Sequence, residues 1–271
     1  MVDSLLTVED LDVTYRTPRG DVAAVRGVSF TCGREKLGIV GGSGSGKSTL
    51  GRAIMKLLPR RTRVRAATFT FDGVDLSRAD ARAMRRLRGR RIAMILQDPK
   101  FALNPVMSIG RQIAETYRAH HKISEREARR RGLDMLAQVH IEDPERMWRA
   151  YPHELSGGMG QRAMIAMMLA PGPDLLIADE PTSALDVIAR HSVLTILDEL
   201  VAESGMGLML ISHDLGLVSS FCDRVIVMHD GEMVETLQAN RLRRARHPYT
   251  RALMAARPRL ETQAPGRRAR P

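Results

Sequence analysis

The sequence predicts an α/β fold: a parallel-sheet core, with an antiparallel β region ahead of it and a helical segment inserted within it. Three observations predict this. Short apolar runs recur at 37–40, 92–96, 174–179 and 208–211, each suited to a strand buried on both faces. A glycine-rich segment joins the first run to an amphipathic helical stretch. Between 98 and 165 the strand pattern gives way to helical spacing punctuated by Pro99, Pro105 and Pro152.

In order along the chain, residues 5–15 alternate loosely as a strand and turn at Thr17-Pro18-Arg19-Gly20. Residues 22–30 form a second strand, broken by Gly33. After the glycine segment, Leu50, Ala53, Ile54, Leu57 and Leu58 fall on one helical face, and Pro59 is expected to end that helix. Residues 69–73 read as a strand entering a turn, and residues 92–96 as a strand leading to Gln97. Ser124 and Glu127 have the spacing of a capping box, in which hydroxyl and carboxylate each satisfy an orphan N–H. A helix through Val193, Ile196, Leu197 and Leu200 follows the 174–179 strand, and Asp230-Gly231 makes a hairpin turn. The expected division is a core of 1–97 and 166–236, a helical subdomain of 98–165, and a basic tail of 237–271 with a disordered end.

Composition narrows the class. The 271 residues are 44% hydrophobic but only 4% aromatic, so the core is aliphatic, with 16 Met as adaptable filler. Cys32 and Cys222 stand too far apart in sequence to suggest a disulfide, zinc or iron–sulfur framework, and fit a reducing compartment. No run reaches the roughly 18 apolar residues of a membrane span, and the start lacks the pattern of a signal peptide, so a cytoplasmic chain is expected. The net charge of +11 is spread over Arg-rich faces without interleaved aromatic residues, which argues against a nucleic-acid partner.

Residues 41–49, Gly41-Gly42-Ser43-Gly44-Ser45-Gly46-Lys47-Ser48-Thr49, match G-x-x-x-x-G-K-[ST]. A loop that wraps phosphate oxygens in backbone N–H groups must curl tightly, which glycine permits, and the next helix aims its N-terminus at the anion. Lys47 supplies charge for the β- and γ-phosphates, and the Ser48 hydroxyl is the expected Mg²⁺ ligand. Leu175-Leu176-Ile177-Ala178-Asp179-Glu180 ends a strand in two acids. Asp179 is placed to orient Mg²⁺, and Glu180 to polarise a water as general base. ATP and Mg²⁺ are thus the expected cofactors of a P-loop NTPase (RecA-like) core.

With these residues in place, the chain resembles the nucleotide-binding subunits of ATP-binding-cassette (ABC) transporters over about residues 5–235. Leu155-Ser156-Gly157-Gly158-Met159-Gly160-Gln161-Arg162 resembles the family signature. Gln97 matches the Q-loop glutamine, Asp186 in Ser183-Ala184-Leu185-Asp186 the D-loop aspartate, and His213 the switch histidine. Tyr15 lies where the family sets a ring on adenine. The resemblance implies catalytic roles for Glu180, His213 and Gln97, with Gln97 also at the Mg²⁺ beside Ser48 and Asp179. It implies that Ser156, Gly157 and Gly158 close over ATP held by a second ABC ATPase subunit, a copy or a paralogue. A narrower similarity, to the peptide/nickel importer subfamily, rests on Gln97-Asp98-Pro99, Leu103-Asn104-Pro105 and His247-Pro248-Tyr249-Thr250. It departs from that pattern at Gly160 and in lacking a Cys-rich C-terminal extension. The implied partners are two integral-membrane permease subunits and an extracytoplasmic solute-binding protein, with this chain peripheral on the cytoplasmic face of the inner membrane. A non-transport ABC ATPase acting on nucleic acid or the ribosome, and an exporter subunit, are the alternatives. His120-His121 is expected at the surface, not at a metal, and Trp148 and Tyr151 are expected to pack the helical segment.

Overall fold

The computed structural model describes residues 4–255, so the expected disorder at the end of the tail lies outside the described residues. The chain opens with β1 (Leu6–Thr17) and β2 (Gly20–Cys32), paired antiparallel through the predicted turn. β3 (Lys36–Val40) leaves this layer and enters a second sheet. The first sheet is completed by β4 (Arg63–Arg65), β5 (Thr68–Phe71) and β6 (Val74–Asp75), in the order β2-β1-β5-β6 with β4 also on β1. All its pairings are antiparallel.

The second sheet adds β7 (Ile92–Ile95), β8 (Leu175–Asp179), β9 (Gly207–Ser212), β10 (Arg224–His229) and β11 (Glu232–Gln238). Its order is β11-β10-β3-β9-β8-β7, parallel except for the β10–β11 hairpin. β8 and β9 are buried along their whole length, as continuous apolar runs in a two-sided parallel sheet require. One face, through Leu37, Ile39, Ile177 and Ile211, packs on the antiparallel sheet and the first helix. The other, through Val40, Leu176, Ala178 and Leu210, packs on the helices that follow β7 in the chain.

Helices connect these strands. α1 (Lys47–Ile54) follows β3, and α2 (Ala81–Leu87) precedes β7. α1 is shorter than its apolar spacing predicts. Lys56 adopts a left-handed φ of 48° and ends it, so Leu57 sits outside the helix and is half exposed. Between β7 and β8 lie α3 (Ile109–His120), α4 (Glu125–Gln138), α5 (Pro144–Arg149) and α6 (Gly157–Leu169). The boundary expected at 165 falls inside α6. Trp148 on α5 fills the gap left by Gly110 of α3 and Gly132 of α4, where an added Cβ would meet its ring at 2.1 and 2.4 Å. Tyr151, expected to pack beside it, is exposed and stacks on His153. Only half of the capping box forms: Ser124 Oγ accepts from Glu127 N–H at 3.2 Å, while the Glu127 carboxylate pairs with Arg130 and Arg131. The remaining helices are α7 (Val187–Ser204), α8 (Leu215–Phe221) and α9 (Pro248–Ala255). Cys32 and Cys222 are both buried and unpaired, and burial pushes each thiol up to about 12. Among the described residues no helix is long and apolar enough to cross a membrane.

Candidate active site

Parallel strands bring their carboxyl ends to one edge, where α/β sheets place ligands. Val40 pairs in register with Ser212, and Asp179 with Ile211, so residues 41–49, Asp179-Glu180 and His213 leave the sheet at one level.

The loop after β3 is tightly enclosed. A Cβ on Gly41 would lie 2.2 Å from the Met228 carbonyl oxygen, and one on Gly46 2.3 Å from that of Ala24. Gly46, at φ 96°, caps α1 and starts it at Lys47. Only glycine fits both the left-handed geometry and the close approach. Lys47 Nζ curls back over the loop, donating to the carbonyls of Gly41 at 2.9 Å and Gly42 at 2.7 Å and to Ser45 Oγ at 3.3 Å. Burial lowers the Lys47 pKa, opposed by the carboxylates of Glu180 and Asp179. Ser43 and Gly44 are exposed at the loop crest. The Tyr15 and Thr49 hydroxyls lie 3.2 Å apart, so Tyr15 flanks the start of α1 from the antiparallel sheet.

Ser48 Oγ donates to Asp179 Oδ1 at 2.7 Å. Asp179 is only 3% exposed, and burial raises its pKa, with the Glu180 charge adding to the rise and Ser48, Arg52 and Lys47 opposing it. A buried carboxylate and a hydroxyl on one point suit a hard divalent cation, which takes oxygen ligands. Glu180 turns away from the strand at φ 49°, held by its N–H donating to Ile211 O at 2.9 Å. Its carboxylate oxygens lie 2.9 and 3.0 Å from His213 Nδ1, and the imidazole is otherwise exposed. An acid beside a hydrogen-bonded imidazole at the mouth of a phosphate loop can orient and deprotonate a water.

Comparison with known proteins accords with this geometry. The family model described as ABC transporter matches residues 25–183. The probable peptide ABC transporter ATP-binding protein y4tR of Sinorhizobium fredii is 48% identical over 255 residues, covering 93% of this chain and 76% of that protein. The chain belongs to the ABC transporter family. The oligopeptide transport ATP-binding protein OppD of Bacillus subtilis is 44% identical over 264 residues, covering 96% and 74% of the two chains. The dimeric post-hydrolysis structure of the ATP-binding cassette MJ0796 bound to ADP and Pi superposes with a TM-score of 0.76 at 27% identity, covering 87% of this chain and 99% of that one. This cassette therefore has the P-loop NTPase fold, binds ATP and is an ATPase coupled to transport.

The other predicted residues of the cassette make no hydrogen bond to this cluster among the described residues. Ser156 caps α6, its Oγ accepting from Met159 N–H at 3.3 Å, and Ser156 and Gly157 are exposed. Asp186 caps α7 through Ala189 N–H at 2.8 Å. A Cβ on Gly158 would meet Ala189 Cβ at 3.5 Å, so these two helix starts form one surface. Gln97 lies in an exposed bend past β7. His121 Nε2 bonds the Pro171 carbonyl at 3.0 Å, and the described residues contain no group of His, Cys, Asp or Glu arranged to hold a metal by themselves.

One contact was missed by sequence reasoning. Gly42 N–H donates to the Tyr249 hydroxyl at 2.8 Å. The His-Pro-Tyr stretch was visible as a resemblance, but no spacing rule links position 249 to position 42.

Proposed function

We propose that this chain is the ATP-hydrolysing subunit of a peptide importer, acting as one of two cassettes beneath a pair of membrane permeases. The observation that carries the catalytic half of this reading is the Glu180–His213 pair, set beside Lys47 and the Ser48–Asp179 couple at one sheet edge. The peptide assignment draws on the names of the relatives: peptide, oligopeptide and, for GsiA of Shigella dysenteriae, glutathione import. Nickel is the other solute class of the subfamily.

The residues would act as follows. The N–H groups of residues 41–49 other than Gly42, which donates to Tyr249, and the N-terminus of α1 wrap the phosphates, Lys47 leaves its carbonyl acceptors for the β- and γ-phosphates, and Tyr15 covers the adenine. Ser48 and Asp179, with Gln97 drawn in from its bend, would hold Mg²⁺, which when bound neutralises the developing phosphate charge. Glu180 accepts the proton of the attacking water. His213 holds the Glu180 carboxylate and bonds the γ-phosphate. Ser156, Gly157 and Gly158 present a second helix start to the ATP of the opposing cassette, with Asp186 at the same seam. The groove lined by Pro99, Leu103, Leu155 and Leu185 is the proposed seat of a permease segment.

The test is co-purification followed by transport. The chain, produced together with candidate permease subunits from its own genome, is expected to form a detergent-stable complex that drives ATP-dependent peptide accumulation when a matching solute-binding protein is supplied. Purification with ribosomes or nucleic acid instead, or peptide efflux, would overturn the assignment.

A further inference from the structure

The phosphate loop has an anchor outside the motifs that identify the cassette. Gly42 is held at both ends of its residue. Its carbonyl accepts Lys47 Nζ at 2.7 Å and Ser45 N–H at 3.3 Å, and its own N–H donates to Tyr249 Oη at 2.8 Å. Tyr249 belongs to α9, more than 200 residues later in the sequence, and is itself firmly placed. Its ring stacks on His229, centroids 3.8 Å apart at 20°, and His229 is the last residue of β10, the neighbour of β3. The chain leading into α9 is fixed by Glu235 of β11, whose carboxylate accepts the N–H groups of Arg246 at 2.7 Å and His247 at 3.3 Å. Thr250, the next residue, is fully buried. A continuous path of contacts thus runs from β11 through α9 to the wall of the phosphate loop.

We propose that the Tyr249 hydroxyl is a positioning group for ATP binding: by fixing the Gly42 peptide, it holds the loop in the shape that presents its N–H groups and Lys47 to the phosphates. This rests on the reading of residues 41–49 as the ATP site. Without the hydroxyl, the Gly41–Gly42 peptide is left with the Lys47 ammonium on its Gly41 carbonyl, a contact that phosphate binding draws away. The ordering of the loop is then charged to nucleotide binding. It follows that the segment after the core, which carries α9, is coupled to ATP affinity. The position in the fold explains why: Tyr249 of α9 reaches the loop from beside His229, at the end of the β10 strand whose Met228 carbonyl also closes on Gly41.

The test is Tyr249→Phe in the full chain, which removes the hydroxyl and keeps the ring on His229. Binding of MgATP is measured by displacement of a fluorescent nucleotide, and amide hydrogen exchange is measured without nucleotide. The loss of one neutral hydrogen bond is expected to raise the Kd for MgATP about three- to tenfold. Exchange is expected to quicken at residues 41–47 while the β3 and β10 amides keep their protection. An unchanged Kd overturns the proposal. So does a raised Kd accompanied by faster exchange throughout the parallel sheet, because Tyr249 would then be structural support. Lys47→Ala separates the two readings: if it too leaves the Kd unchanged, the ATP site itself is misassigned, whereas a weakened Lys47→Ala beside an unaffected Tyr249→Phe defeats the tyrosine proposal alone.

Discussion

Replacing Glu180 by Gln isolates the chemistry from the binding. The amide has the size of the carboxylate, and the backbone that aims it is untouched: Glu180 N–H still donates to Ile211 O, and its carbonyl still accepts from Ser183 N–H at 3.2 Å and Ser183 Oγ at 3.1 Å. Either end of the amide can bond His213 Nδ1, 2.9–3.0 Å away. What disappears is the group that takes the proton from water. A positioned general base contributes about 10²- to 10⁴-fold, or roughly 3–5.5 kcal/mol of activation free energy. Turnover should fall by that factor. The charge change acts the other way on binding, since the Glu180 carboxylate is a negative charge at the site, adding to the rise that burial gives the Asp179 pKa. Neutralising it removes repulsion from the polyanionic nucleotide, so ATP binding is expected to be retained or tightened. The assay is steady-state phosphate release from the assembled transporter, beside equilibrium binding of labelled ATP. Turnover within about tenfold of the parent would refute the assignment of Glu180 as base.

Three further outcomes follow from the geometry. Gly41→Ala places a Cβ 2.2 Å from the Met228 carbonyl, and Gly46→Ala places one 2.3 Å from that of Ala24 at a left-handed φ. Each distortion costs about 1–3 kcal/mol, so ATP affinity should drop about 5- to 150-fold in a direct binding titration. Ser48→Ala removes the 2.7 Å bond to Asp179 and should abolish the Mg²⁺ dependence of ATP affinity, read by titrating ATP with and without the metal. The Glu235 pKa is held below its ordinary 4.5: burial raises it, but the Arg246 and His247 N–H groups and Thr250 outweigh that. A depressed carboxylate pKa stabilises above the ordinary value and is lost as pH falls through the lowered one. Protection of the α9 amides, relative to the intrinsic exchange rate at each pH, should therefore fall below about pH 4.5, ahead of the parallel sheet.

What the sequence made legible was local in spacing. The phosphate loop, the acid pair after β8 and the histidine after β9 each follow an apolar strand, and a parallel sheet collects such strand ends by construction. The Asp230-Gly231 hairpin was equally readable, with both residues at positive φ, 48° and 85°. Legibility failed where a competing partner decided the outcome. Leu57 and Leu58 continue the apolar period of α1, yet the left-handed Lys56 ends the helix first. Glu127 has capping-box spacing, but two arginines one turn on offer it charged partners. The Trp148 slot between Gly110 and Gly132, and the Tyr249 bond to Gly42, join positions that no periodicity relates.

The signature side of the cassette gives the last prediction. Ser156–Gly158 opens α6, with Ser156 and Gly157 exposed, and the first N–H groups of a helix have no partner within it, an arrangement suited to an anion. Among the described residues no hydrogen bond joins it to residues 41–49, which already have their own helix start. Beside it, at the start of α7, Val187 and Ile188 are 80% and 83% exposed. Two adjacent bare aliphatic side chains next to an anion-ready helix start describe a surface waiting for a second chain. Burying them would favour association by about 1.5–3 kcal/mol each. Specific ATPase activity should then rise with protein concentration, or on titration with the partner cassette if the second copy is a paralogue. Val187→Asp combined with Ile188→Asp puts two charges into that seam and should move the half-maximal concentration upward more than tenfold, while leaving ATP binding to the isolated chain intact. Specific activity that stays constant over a hundredfold dilution, and is insensitive to both the partner and the double variant, would mean that one chain hydrolyses ATP alone and that α6 faces no nucleotide.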